Sequence, residues 1–162
     1  MKRTDEENLL EVFLSFHNIS VLQFRLLAWF KDNGRHHIPW KLNSVGMQPK
    51  DGEALHPYGI WIAEIMLQQT QLKVVLPYWN KWMQVFPTLI DLVNATDQDV
   101  LLLWQGLGYY SRARRLHQAA KQLVKLIGNA DLLDPFSWPN DLGVWMSLPG
   151  IGRTTAGSII SS

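Results

Sequence analysis

The chain has 162 residues and a formal net charge of +1; 47% of the residues are hydrophobic, eight are Trp and none is Cys. That apolar content is enough for one globular core and excludes a disordered chain. Without Cys the chain offers no disulfide, thiolate nucleophile or Cys-held metal, so a metal here would need oxygen or imidazole ligands.

The N-terminus "MKRTDEENLLEVF" is acidic where a signal peptide would be basic and then apolar. No run approaches the roughly 18 uncharged apolar residues of a membrane span. A soluble, intracellular and cytoplasmic protein without a membrane partner is expected. Residues 1–20 read as a tail or loose helix, and residues 21–162 as one domain. Apolar spacing of three and four predicts a helix from Val21 to about Asp32, ended by Gly34. "KLNSVGMQPKDGEALHPYG", about residues 41–59, has no period and reads as a long loop. One or two helices follow between Ile60 and Phe86, with Pro77 interrupting. In "ATDQDVLLLWQG", Thr96 is a candidate N-cap with Asp99 at the capping-box position, and the helix closes at Gly106. Leu116, Ala119, Ala120, Leu123, Val124 and Ile127 form a helical stripe that Gly128 stops. "NADLLDPFSWPND" reads as a second loop. The fold class is all-α.

Three stretches carry possible chemistry. "YGIWIAEIMLQQTQL" sets one acid, Glu64, in an apolar run. Such a carboxyl is either desolvated, which favours its protonated form, or sits with Gln68 and Gln71 on an exposed helix side. "VWMSLPGIGRTTAGSIISS" reads as helix, turn, helix, with Pro149 ending the first and Thr154 and Thr155 opening the second. Gly150 and Gly152 would permit turn dihedrals closed to other residues and let a ligand approach the backbone amides. At a helix N-terminus those amides suit a phosphate, although a plain interhelical turn has the same composition. "GLGYYSRARR" places Tyr109 and Tyr110 between a Gly-Leu-Gly turn and arginines, suited to wedging into a base stack or to filling surface and core. Val100 to Ala130 contains Arg112, Arg114, Arg115, Lys121 and Lys125 and no acid, which is either a phosphate-facing patch or a solvated helix face.

Together "IWIAEIMLQQTQ", "LLLWQGLGYYSRARRLHQAA" and "SLPGIGRTTAGSII" closely resemble the N-terminal part of the adenine DNA glycosylases, the MutY-type members of the helix-hairpin-helix glycosylase superfamily. The resemblance runs from about Leu27 to the end, interrupted by the loop after Trp40. It implies a monomeric, DNA-associated enzyme that flips adenine out of A:8-oxoguanine or A:G mispairs in double-stranded DNA and hydrolyses its N-glycosidic bond. By resemblance, Glu64 protonates N7 of the leaving adenine. Gln69 and Thr70 place polar groups near the mispair, Tyr109 intercalates, and Arg35 and Trp40 in "GRHHIPW" line the adenine pocket. Arg112 is assigned to DNA contact with the basic patch. His36 and His37 fall where the family varies and read as surface. Leu148, Gly150 and Gly152 match the hairpin, whose carbonyls in this superfamily can hold a monovalent cation. Thr154 stands where the endonuclease III type has Lys. A hydroxyl cannot form a Schiff base, so hydrolysis without lyase chemistry is implied.

The family's second catalytic Asp falls about ten residues past Ser162, and its [4Fe-4S] cluster rests on four Cys absent here. Asp91, Asp97, Asp99, Asp131, Asp134 and Asp141 read as cap, turn or loop residues rather than substitutes. No cofactor is therefore expected in this chain. "TTAGSIISS" halts an apolar helix without a stop signal. A truncated, impaired product is expected, with a catalytically inactive DNA-binding module as the second reading and a bare helical interaction protein as a third.

Overall fold

The computed structural model describes the backbone of residues 5–128 and 130–161, and side chains from residue 19 onward. These residues form eight α-helices and no strand: α1 (Asp5–Asn33), α2 (Pro57–Leu67), α3 (Leu72–Val85), α4 (Leu89–Asn94), α5 (Asp97–Trp104), α6 (Ser111–Ile127), α7 (Leu142–Met146) and α8 (Arg153–Ile160). They fall into two compact units, Met1–His37 and Ile38–Ser162.

In the first unit α1 begins at Asp5 rather than Val21. Neither Gly nor Pro interrupts residues 5–33, so nothing local stops the helix at residue 20. The boundary expected there lies inside α1. The first four residues of the expected tail lie outside the described ones.

The second unit is built around α2. Tyr58, Ile60, Trp61, Ile62, Ala63, Ile65 and Met66 are all buried, as expected of a helix that is apolar nearly all round. It packs against α8, α3 and α6. Pro57 occupies its first turn, and the His56 ring accepts the Tyr58 amide at 3.3 Å. Tyr58 Oη donates to the Phe86 carbonyl at 2.9 Å, and half-buried Trp79 Nε1 to the Gly59 carbonyl at 2.8 Å, whereas buried Trp61 Nε1 has no hydrogen-bond partner among the described residues. Trp61 meets Trp145 edge-on at 5.8 Å, and Trp82 meets Trp104 at the same distance.

Pro77 does not interrupt α3, which continues from Leu72 through it to Val85. The carbonyl it leaves without an intrahelical donor belongs to Lys73. Both residues are exposed, so water can take that place. Capping boxes open α4 (Thr88 with Asp91) and α5 (Thr96 with Asp99). α5 ends at Trp104, two residues before Gly106. α6 buries Leu116, Ala119, Ala120 and Leu123 of the expected stripe, and Gly128 closes it with φ 67°. Between α7 and α8 lies the expected turn.

Candidate functional site

A helix turns about 100° per residue, so the apolar neighbours Ile62, Ala63 and Ile65 point away from Glu64 and into the core. Glu64 itself is half-buried rather than enclosed. Its Oε1 accepts a hydrogen bond from Ser158 Oγ of α8 at 2.8 Å. One turn further along α2, Gln68 Nε2 donates to the Gly150 carbonyl at 3.2 Å and lies 3.4 Å from Thr155 Oγ1. Glu64 and the Pro149–Gly152 bend therefore share one side of α2. Neither Ser158 nor Gln68 was among the site residues read from the sequence. The available signal was positional, since Thr155, Ser158 and Ile159 fall at helical spacing on α8.

The two hairpin glycines differ. Gly150 has φ 81°, and a Cβ there would lie 3.1 Å from Cβ of Arg115. It supplies the left-handed turn. Gly152 is extended at φ −94° and ψ 175°, which any residue adopts, so the expectation of a restricted dihedral there is corrected. A Cβ at Gly152 would meet nothing within 4 Å, so this glycine keeps the surface open. As N-cap of α8 it has no side chain to accept from the first amides of the helix, which leaves donors at the positive end of the dipole. Arg153 and Thr154 are exposed there. Leu148 is buried, and its carbonyl accepts from Ile151 N at 3.3 Å.

Arg112 is only 8% exposed and is not part of a solvent-facing patch. Nη1 donates to the carbonyls of Ile65, Met66 and Gln68, at the C-terminal end of α2. Nη2 donates to Thr70 Oγ1 at 3.2 Å and to the carbonyls of Leu107 and Gly108 at 3.3 Å each. The cation sits where the α2 dipole is negative, and its guanidinium also lies over the rings of Trp104 and Tyr109 at 5.4 and 5.5 Å. Burial lowers its pKa, but a guanidinium stays charged at neutral pH. The guanidinium's hydrogen-bond partners are thus five main-chain carbonyls and the Thr70 hydroxyl, all within the protein. Arg114, Arg115 and Lys125 remain exposed on α6, while Lys121 Nζ lies 3.7 Å from Asp97.

Gln69 and Tyr109 are the non-glycine residues with positive φ among those described, at 56° and 49°. Both are exposed, Tyr109 at 64%. Thr70 joins this region through Arg112. Trp40 is elsewhere. It is buried against Trp79, ring centroids 5.3 Å apart, and lines a cavity of about 550 Å³ with Glu53, His56 and Tyr58 near the start of α2. Glu64 is not among the residues of that cavity. Arg35 belongs to the first unit, with His36, whose Nε2 lies 2.8 Å from the Phe30 carbonyl.

The six aspartates weighed above as substitutes are all engaged. Asp91, Asp99, Asp134 and Asp141 cap helix starts, Asp131 accepts from Leu133 N, and Asp97 binds buried His117 at 2.7 Å. No group of three or more potential metal ligands occurs among the described residues. With no Cys in the sequence, nothing in this chain fits an iron-sulfur cluster. No helix among the described residues is long and apolar enough to cross a membrane.

A family model described as HhH-GPD superfamily base excision DNA repair protein matches residues 62–159. The chain is 37% identical to the adenine DNA glycosylase of Rattus norvegicus, over 93% of this chain and 27% of that protein. It is also 37% identical to the adenine DNA glycosylase of Homo sapiens, over 99% and 29%. With that of Buchnera aphidicola subsp. Baizongia pistaciae the identity is 38%, over 84% and 34%. The chain thus spans about a third or less of the length of these relatives. In fold it resembles a thermostable thymine-DNA glycosylase (TM-score 0.64, 20% identity, 87% of this chain and 57% of that one). It also resembles endonuclease III in a non-covalent DNA complex (TM-score 0.61, 18% identity, 88% and 58%).

Proposed function

Because the chain belongs to the HhH-GPD superfamily of base excision DNA repair proteins, we propose that it is built for adenine-specific DNA glycosylase chemistry on A:8-oxoguanine or A:G mispairs. The observation that carries this reading is the Ser158–Glu64 hydrogen bond beside the Gln68 bridge to the hairpin. A carboxyl oriented through Oε1 keeps Oε2 for a proton and a substrate atom. Glu64 donates that proton to N7 of the extruded adenine. The C1′–N9 bond then breaks with its electron pair going to the base. The oxocarbenium sugar is captured at C1′ by water, which releases its proton to solvent.

The hairpin amides, with Arg153 and Arg115 beside them, hold a backbone phosphate without reading sequence. Tyr109 and Gln69 enter the stack, and Thr70 supports the Gln69 turn. Thr154 supplies no amine, so no Schiff base with the sugar is formed. The protein acts on DNA as a monomer inside the cell. A monovalent cation at the hairpin carbonyls would share the Gly150 oxygen with the Gln68 amide.

A second reading is supported by the aspartates. With these six engaged in caps, a turn and an ion pair, none of them is evident as a second carboxylate to stabilise the sugar cation. On that reading the chain binds mispaired DNA and releases base slowly or not at all. One experiment separates the two: duplex binding and single-turnover adenine release by the 162-residue chain and its Glu64→Gln variant. Release lost in the variant supports the enzyme. Salt-sensitive binding with no release by either protein supports the binding module. Absence of both refutes the proposal.

A further inference from the structure

We propose that Arg112 is a positioning residue that sets the turns at Gln69 and Tyr109 as one unit. The inference rests on the reading, made above, that these two tips enter the duplex. The turns belong to different connections, α2 to α3 and α5 to α6, and are separated by 40 positions in sequence. Each places a non-glycine residue in the left-handed region. Such backbone persists where surrounding contacts over-determine it.

Here those contacts converge on one guanidinium. Gln69 lies between the Gln68 carbonyl and Thr70 Oγ1, which accept from Nη1 and Nη2 of Arg112. Tyr109 follows the Gly108 carbonyl, another Nη2 acceptor, and its ring lies beneath the same group. The Tyr109 carbonyl in turn accepts the Arg112 backbone amide at 2.9 Å, so the residue lies in the first turn of α6 and is bonded to the same turn it braces. Only a planar fork can serve both turns at once. Rotating or removing it would release the two tips together. A wedge and its companion that move independently would lose their fixed spacing against the base stack.

The test uses the whole chain and two substitutions. Arg112→Gln removes charge and fork, whereas Arg112→Lys keeps the charge alone. Amide hydrogen exchange without DNA is expected to rise about tenfold at both tips in both variants, while the buried amides of α6 stay protected. A duplex with 2-aminopurine at the target position opposite 8-oxoguanine reports extrusion by fluorescence, and both variants are expected to lose that signal. The slope of log K against log salt is expected to equal that of the unsubstituted chain in both. Faster exchange at one tip only, unchanged exchange, restoration by Lys, or a slope reduced by about one in Arg112→Gln, as for a phosphate contact, would each overturn the proposal.

If neither variant folds, Thr70→Val removes one Nη2 acceptor and leaves the guanidinium in place. Faster exchange at Tyr109 as well as Gln69 is then expected, and a response confined to Gln69 refutes the coupling. A chain that binds no duplex overturns the proposed function, and the exchange measurements still decide whether Arg112 couples the tips.

Discussion

Ser158 on α8 donates its hydroxyl to Glu64 on α2 across 2.8 Å, which ties the candidate acid to the helix that starts at the hairpin. Ser158→Ala removes this donor from a half-buried position and adds no bulk. A hydrogen bond to a carboxyl group contributes about 1.5 kcal/mol, equivalent to roughly tenfold in rate. Single-turnover adenine release should therefore slow about tenfold while duplex affinity stays the same. A parallel loss of affinity would mean that Ser158 supports the α2–α8 packing instead of the acid.

The two hairpin glycines should separate stability from binding. Gly150→Ala meets a left-handed backbone and the Arg115 stem at 3.1 Å, so a loss of about 2 kcal/mol is expected in denaturant unfolding. Gly152→Ala meets open space and an ordinary dihedral, and should cost about 0.5 kcal/mol as a poorer N-cap. Its methyl group nevertheless stands where a phosphate would approach the α8 amides. Gly152→Ala should weaken duplex binding by more than its effect on unfolding accounts for. Equal affinity for this variant and the unsubstituted chain would remove the hairpin from the DNA interface.

Why these roles could be read in advance at some residues and not at others follows from the range of the interactions. The α6 stripe, the Thr96–Asp99 box and the Gly128 stop depend on neighbours within a few positions, and the sequence displays them directly. The hairpin was visible for the same reason, although composition could not distinguish the left-handed Gly150 from the extended Gly152. Arg112 lay in a run that looked like a basic surface because three of its acceptors are carbonyls 44 to 47 positions away, and main-chain oxygens leave no mark on residue type. Ser158 meets Glu64 across 94 positions and was hidden likewise. Trp40 is assigned to the adenine pocket by resemblance alone, and the packing of its ring on Trp79, 39 positions away, was not legible in the sequence. Pro77 was misread because its effect depends on whether the freed carbonyl reaches water.

The capping box of α5 predicts a specific acid response. The Thr96 hydroxyl and backbone amide hold the Asp99 carboxyl below its ordinary value. A folded pKa below the unfolded one, near 3.9, gives stability that is present above about pH 4 and lost as pH falls through the lower folded value. Asp99→Asn keeps an acceptor for the cap and cannot titrate. The difference in thermal midpoint between the unsubstituted chain and this variant should be largest between about pH 5 and 7 and should shrink towards pH 2. A difference independent of pH would mean that the charge of Asp99 plays no part in the cap.

Gln68 joins the candidate acid helix to the turn: its amide donates to the Gly150 carbonyl at 3.2 Å from one turn beyond Glu64. Gln68→Met keeps the length and apolar stem of the side chain and removes the donor. Loss of one such bond costs about 1 kcal/mol, or roughly 3 °C in thermal midpoint for a chain of this size. The Gly150 carbonyl lies at the exposed edge of the turn and can accept from water instead, which limits the cost to stability. The larger effect should be on order within the hairpin. Amide exchange at Ile151 and Gly152 should quicken while that of the buried α2 amides does not, and duplex affinity should fall through faster dissociation. A hairpin that exchanges as slowly in Gln68→Met as in the unsubstituted chain would show that the turn holds its shape without α2, and the tie between acid and phosphate grip would then rest on Ser158 alone.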